Sequence, residues 1–363
     1  MIHPGLRDLL RDLIKRACAA DVSFYLVGGC VRDGLLGVPT RDVDLVTEQD
    51  PVRVARASGA RLEVFDRFGT LRLSLPSGLR VDIARARAEI YPQPAALPQV
   101  RPASLAEDLK RRDFTVNAMA LRLTTRGTGP LLDPFLGAAD LKAGRLRMLH
   151  PASFRDDPTR LYRAARYAGR FGMRLESQTA GLLREAVAGR RPGLLSRDRL
   201  RQELMRQMSE KDPGPGMRLI ERWGLASFIH PKLRWVGSAV KASDPVVRLG
   251  VCALAMGNAG VEMIRSLPLS REQSRAVLTA LTLAQSPRAP LPAASLRMLR
   301  LHFKDVVPTA FSPLLVDGED LKKSGLPPGK EYRRWLDAAA RAQWRGEFRT
   351  RSEALRWLRA RLD

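Results

Sequence analysis

Short apolar runs dominate the first part of the chain, and helical spacing dominates the rest. Leu6, Leu9, Leu10, Leu13, Ile14 and Ala17 recur on one helical face and predict an amphipathic helix over residues 5–20. Strand-like runs near 23–28, 42–47, 61–65, 70–75 and 79–84 follow, so the sequence predicts an α/β head ending near residue 145. After about residue 153 the pattern is almost entirely helical. Lys211-Asp-Pro-Gly-Pro-Gly216 breaks the helices, and the Pro-rich stretch 286–292 is read as a second linker. A chain of 363 residues is too long for one typical core, which implies several domains, and no internal repeat is visible.

The densest chemistry lies between the first two strand-like runs. Phe24-Tyr25-Leu26-Val27 ends in Gly28-Gly29, a short helical segment follows, and Asp42 and Asp44 stand two apart in the next apolar run. Side chains alternate along a strand, so both carboxylates point to one face. Side by side they repel unless a cation lies between them. Hard oxygen ligands suit Mg²⁺, which keeps waters and takes phosphate oxygens as remaining ligands. A pair of such ions can activate an attacking hydroxyl and stabilise a leaving pyrophosphate. Glycine lets the backbone approach a phosphate, and the start of the next helix favours an anion. Arg32, in that first turn, can pair with a phosphate through its guanidinium fork. Cys30 is read as a small turn residue, because no histidine lies near it in sequence.

Two further sites stand out. Leu79-Arg-Val81-Asp82-Ile83 alternates as a strand and sets Asp82 opposite its apolar neighbours. Asp82 either completes a triad with Asp42 and Asp44 or is an exposed strand acid. Asp157 and Arg160 are three apart on an expected helix and would share a face. A carboxylate only accepts hydrogen bonds and a guanidinium only donates. Cytosine and adenine each offer an amino donor beside a ring-nitrogen acceptor, which this pair satisfies. Uracil and guanine present the reverse order, and buried polar groups left unpaired reject them. The pair predicts selection of CTP and ATP over UTP and GTP without a template. The competing reading is an exposed helix salt bridge.

Gly28-Gly29-Cys30-Val31-Arg32-Asp33, Leu36-Gly37, Asp42-Val43-Asp44 and Thr47 resemble the first motif of the bacterial-type (class II) tRNA nucleotidyltransferase and poly(A) polymerase family. Residues 108–120, Asp-Leu-Lys-Arg-Arg-Asp-Phe-Thr-Val-Asn-Ala-Met-Ala, are similar to its Arg-Arg-Asp block. Asp156-Asp157-Pro-Thr-Arg160-Leu-Tyr-Arg163-Ala-Ala-Arg166-Tyr167 is similar to its acid-Asp-x-x-Arg helix, and Ser196-Arg-Asp198-Arg199 through Glu203-Leu204 to a further helix. Residues 317–329 resemble the family's tail. Asp156 and Asp198 stand where the family usually has Glu.

The resemblance implies an α+β fold: a polymerase-beta-like head with a mixed sheet over 1–145, then a helical neck over 146–215, a body over 216–290 and a tRNA-binding tail over 291–363. It implies catalysis by Asp42 and Asp44, with Mg²⁺ on both, and phosphate binding by Gly28, Gly29 and Arg32; Asp82 joins them as a catalytic candidate through its strand position alone. It further implies ribose binding by Arg112, Asp113 and Asn117, and base binding by Asp157, Arg160 and Arg163. The implied activity is addition of CCA to the 3′ end of tRNA from CTP and ATP. The segment from Glu89 to Pro102 is not obviously deleted, which argues against a CC-only enzyme, yet it lacks the charged residues often found there. Arg67-Phe68-Gly69-Thr70 is more similar to the CCA-adding branch than to the poly(A) polymerases. The alternatives are an A-adding or CC-adding enzyme of a split pathway, a poly(A) polymerase, and a non-catalytic RNA-binding protein.

Composition fits an RNA enzyme. Lys and Arg total 62 against 38 Asp and Glu, a net charge of +24, which attracts polyphosphates and RNA backbones. A membrane partner is not expected, for lack of an apolar segment of spanning length or a signal peptide, and a cytoplasmic location is. Cys18, Cys30 and Cys252 give neither a disulfide framework nor a zinc spacing, and no disulfide-linked partner is expected. The four histidines are too dispersed for a histidine-based metal site. Beyond residue 331, arginines interleave with Trp335, Trp344 and Trp357. The tryptophans are read mainly as the buried face of a terminal helix pair, and some of the arginines as RNA contacts.

Overall fold

The computed structural model describes residues 14–15, 22–38, 42–52, 61–65, 70–74, 80–285, 293–302, 315–327, 329–344, 347–348 and 350–362. Apart from helical Ile14 and Lys15, the expected first helix lies outside these residues, as do Cys18, residues 66–69 and the 286–292 linker. The chain forms two compact units, Met1–Leu194 and Leu195–Asp363.

Five strands of the first unit fall where the apolar runs place them: β1 (Tyr25–Val27), β2 (Asp42–Thr47), β3 (Arg61–Phe65), β4 (Thr70–Ser74) and β5 (Arg80–Arg85). A separate antiparallel hairpin, β6 (Arg87–Ile90) and β7 (Gln99–Pro102), follows, and then β8 (Ala120–Thr124) and β9 (Gly127–Leu132). The main sheet has seven strands in the order β3-β4-β5-β2-β1-β8-β9. It is mixed, because β2 and β5 run parallel whereas the other neighbours are antiparallel. Val43, Leu45, Leu71, Val81 and Ile83 are buried, so alternation sends one face of these strands into the core and leaves the other for chemistry.

Helix α1 (Gly29–Leu35) follows β1, and α2 (Leu105–Lys110) packs Leu105 and Leu109 against Val27, Val46, Ala118 and Ala120. Ser104 and Glu107 form a reciprocal capping box that fixes the start of α2. Helix α3 (Gly137–Lys142) presses its first residue on a short turn, Thr115–Asn117. A single turn, α4 (Ser153–Asp156), precedes α5 (Thr159–Phe171), which buries Leu161, Tyr162, Ala164, Ala165 and Ala168 and stops at Gly172 in the left-handed region. Helix α6 (Ser177–Ala188) completes the unit.

The second unit is helical: α7 (Arg197–Met208), α8 (Gly214–Arg222), α9 (Pro245–Met256), α10 (Asn258–Ser266), α11 (Arg271–Gln285), α12 (Ala293–His302), α13 (Gly318–Lys323), α14 (Lys330–Trp344) and α15 (Arg351–Leu362). The expected break falls at Pro213, just before α8. Buried Arg248 of α9 ties carbonyls at the end of α7, donating to Met208 at 2.5 Å and to Glu210 at 2.6 Å. Gly260 of α10 lets the helices touch, since a Cβ there would lie 2.1 Å from the Ala253 carbonyl. Trp335 and Trp357 pack on a core of Val316, Leu321, Phe348 and Leu358, as expected of a terminal helix pair, while Arg361 lies over the Trp357 ring at 4.3 Å. Among the described residues no helix is long and apolar enough to cross a membrane.

Candidate active site

The carboxylate face begins with strand register. Asp44 of β2 and Asp82 of β5 are direct partners on adjacent parallel strands. Their apolar neighbours are buried, whereas Asp44 is exposed and Asp82 half-buried. Asp42 lies two positions before Asp44 on β2, and its side chain is outside what the structure describes. On the other flank, β4 sets Arg72 opposite Asp82, and Nε and Nη2 donate to its two oxygens at 2.7 and 2.9 Å. Asp82 thus joins the face of Asp44 and also carries an arginine partner, so both readings of it have a structural basis. Among the described residues no group of three or more His, Cys, Asp or Glu side chains forms a metal cluster. Hard carboxylate oxygens in strand register fit a divalent ion in donor chemistry.

The glycine turn serves a side chain of its own fold. Gly28 has φ +69°, and a Cβ there would sit 2.7 Å from Nη1 of Arg112. Glycine therefore satisfies both the backbone conformation and the approach of Arg112. Arg112 donates through Nη2 to Asp108 at 2.8 Å, while its buried Nε has no partner among the described residues. Asp108, fully buried, also takes Nε and Nη2 of Arg111 at 2.9 and 2.7 Å. Burial works against its charge, but Arg112 and Arg111 hold its carboxyl below the usual range.

Arg32 corrects an expectation. Its guanidinium is buried, donates from Nε and Nη2 to Asp33 at 2.9 and 2.7 Å and from Nη1 to the Asn117 side chain, and lies over Phe171 and Tyr167 at 4.5 and 5.1 Å. The fork expected to hold a phosphate is here occupied by a carboxylate, an amide and two stacked rings. Asn117 passes the connection on, its Nδ2 donating to Asp113 at 2.9 Å. Asp113 also accepts from the Phe114 amide at 2.9 Å and from Nε of Arg163 at 2.7 Å, and Arg163 reaches the Tyr167 hydroxyl at 3.0 Å. The result is a closed network: Asp33, Arg32, Asn117, Asp113, Arg163 and Tyr167. Burial would raise the Asp113 carboxyl, but Arg163, the Asn117 hydrogen bond and Arg160 lower it to about 2. Arg163, expected to bind the base, is thus placed as a partner of Asp113.

Asp157 and Arg160 do not share a helix face. Asp157 is an extended residue before Pro158, and α5 starts at Thr159, because an X-Pro residue is biased out of the helical region. Its Oδ1 accepts from the Thr159 amide at 3.1 Å and hydroxyl at 2.6 Å. Buried Arg160 donates to Ser153 Oγ at 2.6 Å and the Arg111 carbonyl at 2.7 Å, with His150 Nε2 at 3.5 Å. Both residues lie close enough to Tyr91 of the hairpin loop for their charges to act on its phenol. They are neighbours in space on a different geometry from the one expected.

Four participants were not singled out from the sequence: Asp33, Glu89, Asp108 and Tyr167. Asp33, Asp108 and Tyr167 stand inside recognised blocks; burial of the two acids with opposite charges is the signal for them. Glu89, whose side chain is 7% exposed, accepts from Arg87 at 3.2 Å, Arg111 at 2.6 Å and the Tyr91 hydroxyl at 2.9 Å.

Residues 24–147 match the family described as poly A polymerase head domain. The A-adding tRNA nucleotidyltransferase of Geobacter sulfurreducens is 31% identical over 96% of this chain and 46% of its own length. The CC-adding tRNA nucleotidyltransferase of Deinococcus radiodurans is 34% identical over 99% of this chain and 95% of its own. Among solved structures, the Thermotoga maritima CCA-adding enzyme complexed with tRNA has a TM-score of 0.65 and 26% identity, covering 99% of this chain and 96% of that one. The chain spans half or less of the length of three A-adding relatives it matches: 46%, 50% and 20%.

Proposed function

The chain belongs to the tRNA nucleotidyltransferase family, and from that premise we propose that it adds C and A nucleotides to the 3′ end of tRNA from CTP and ATP, without a template. The observation that carries the reading is the strand register of Asp44 with Asp82, two residues from Asp42 and following the glycine turn. Asp42 and Asp44 would hold Mg²⁺, which when bound lowers the pKa of an attacking hydroxyl and neutralises charge on a leaving pyrophosphate. The tRNA 3′ oxygen forms a bond to the α-phosphorus of the nucleotide, the bond to the bridging oxygen breaks, and pyrophosphate leaves. The Gly28-Gly29 turn lies against the triphosphate. Arg32 acts in this proposal by holding Asn117, not as a free phosphate fork. Arg112 meets the ribose, with Asp113 and Asn117 fixing that corner. Asp157 and Arg160 read the amino and ring-nitrogen edge of the base, and Arg163 keeps Asp113 ionised. The division into head, neck, body and tail, tRNA contact by the tail and a cytoplasmic location belong to the same proposal.

A second reading is an A-adding or CC-adding enzyme of a split pathway, favoured by the names of the Geobacter and Deinococcus relatives. Incorporation of each labelled NTP into tRNA ending at the discriminator base, after the first C and after CC separates them. Stepwise addition of C, C and A that then stops supports the first reading. A added only to CC-ended tRNA, or C and C alone, supports the second. Long A tails on any RNA mark a poly(A) polymerase, and no incorporation marks a binding protein.

A further inference from the structure

Arg160 cannot read a base edge unless its guanidinium is held in one place. Two short hydrogen bonds do this, to Ser153 Oγ at 2.6 Å and to the main-chain carbonyl of Arg111 at 2.7 Å. Ser153 belongs to α4, just before α5. The Arg111 carbonyl sits at the end of α2, where the Arg111 and Arg112 amides close the last turn on the Glu107 and Leu109 carbonyls at 3.2 and 3.4 Å. The Arg111 side chain adds a second tie. Its Nε and Nη2 fold back on Asp108, and its Nη1 reaches 2.6 Å to Oε1 of Glu89 on β6. The end of α2 is thus clamped between a carboxylate of its own helix and one from the hairpin.

The hairpin is itself docked to this region. The Arg87 amide donates to Asp108 at 3.3 Å, and the Ala95 amide donates to the Asp156 carbonyl at 3.1 Å, one residue before Asp157. Tyr91 donates to the second oxygen of Glu89 at 2.9 Å. Burial first, and then the charge of Glu89, push the Tyr91 phenol up, so it stays protonated and remains a donor. Each oxygen of Glu89 therefore has a defined partner.

We propose that Glu89 is a positioning residue for base selection: through Arg111 its carboxylate fixes the main-chain carbonyl that holds Arg160. The inference rests on the reading of Arg160 as a base-selecting residue. Glu89 acts in this proposal through Arg111 and not on the substrate itself. Small displacements of a selecting group cost discrimination steeply, because the mismatched base is rejected only while donors and acceptors stay in register.

The test compares kcat/KM for CTP, ATP, UTP and GTP on tRNA acceptors in the full chain and in Glu89→Gln, Arg111→Gln, the double variant and Arg160→Lys. Arg111→Gln retains the carbonyl used by Arg160 and removes the ties of the guanidinium to both Glu89 and Asp108. Glu89→Gln should lower discrimination between correct and incorrect nucleotides about tenfold, chiefly through KM for the correct nucleotide. The double variant should be no worse than the worse single, since both remove one connection. A purely structural role would lower all four rates in proportion and leave their ratios unchanged, and that outcome overturns the proposal. Additive losses in the double variant also overturn it, because Glu89 would then act by another route. Arg160→Lys separates the two levels. If it abolishes discrimination while Glu89→Gln leaves it intact, base reading stands and the inference falls. If Arg160→Lys leaves discrimination intact, both fall. Thermal midpoints measured alongside identify any variant that lost its fold, and Tyr91→Phe, which removes one hydroxyl, then carries the same comparison with a smaller loss of discrimination.

Discussion

Asp113 shows how a buried carboxylate remains charged. Burial disfavours its ionised form, yet Arg163, the Asn117 amide and Arg160 bring it to about 2. A depressed carboxylate stabilises the fold fully above its unfolded pKa, about 3.9, and that contribution is lost as pH falls through about 2. Urea unfolding followed against pH should place Asp113→Asn about 2 kcal/mol below the parent at neutral pH, with the gap closing between about pH 4 and 2. A gap that stays constant to pH 2 would show that the charge of Asp113 is not what stabilises the network. Gly28 makes a second claim at this scale. With φ +69° and Nη1 of Arg112 2.7 Å from any added Cβ, Gly28→Ala should cost about 1–3 kcal/mol and move Arg112. A thermal midpoint and a KM for nucleotide, both unchanged, would rule that out. The motif residues were legible because each block keeps a fixed local spacing. Their partners were not, since Arg32 meets Asn117 from 85 residues away. Arg32 looks free for phosphate for the same reason: sequence shows a guanidinium beside glycines, but not the aromatic pair that α5 brings over it.

Elements were legible in proportion to their burial. Strands β2 and β5 announce themselves because Val43, Leu45, Val81 and Ile83 are buried on one face. The hairpin β6–β7 is mostly half-buried or exposed, and β9 alternates only between exposed and half-buried positions, so neither shows a strong apolar rhythm. The Pro-rich stretch from Tyr91 onward reads as loop, yet its flanks pair in register from Arg87 with Pro102 to Ile90 with Gln99. The helix boundary at Thr159 is hidden in the sequence because acid-Asp-Pro resembles a helix start from either side of the proline. One element-scale consequence concerns α3. A Cβ on Gly137 would fall 2.2 Å from the Thr115 carbonyl, in the turn that carries Asn117. Neither partner is a flexible side chain, so Gly137→Ala must push a helix start away from that turn. It should destabilise by more than about 2 kcal/mol and weaken nucleotide binding together with it, as read by thermal melting and by KM. Loss of stability with KM unchanged would mean that the turn does not position Asn117 for the site.

At the scale of the whole molecule, charge separates what the fold uses internally from what remains for a partner. Of the surplus of +24, several arginines are spent inside the fold: Arg32 and Arg160 are buried, and Arg248 ties main-chain carbonyls. In the C-terminal helices Arg351 pairs with Asp320 at 2.8 Å, and Arg361 lies over Trp357. Arg333, Arg356 and Arg359 are exposed on the same helices. If these contact a tRNA backbone, each neutralised phosphate releases counterions, and binding must weaken as salt rises. About six such contacts would lower affinity roughly 10³-fold between about 50 and 200 mM salt. Replacing Arg333, Arg356 and Arg359 by Gln should then reduce the slope of log affinity against log salt by about one unit per lost contact, without altering nucleotide selectivity. Filter binding to tRNA over a salt series measures both slopes. An unchanged slope would move RNA contact off these helices, and the charge surplus would have to act elsewhere on the surface.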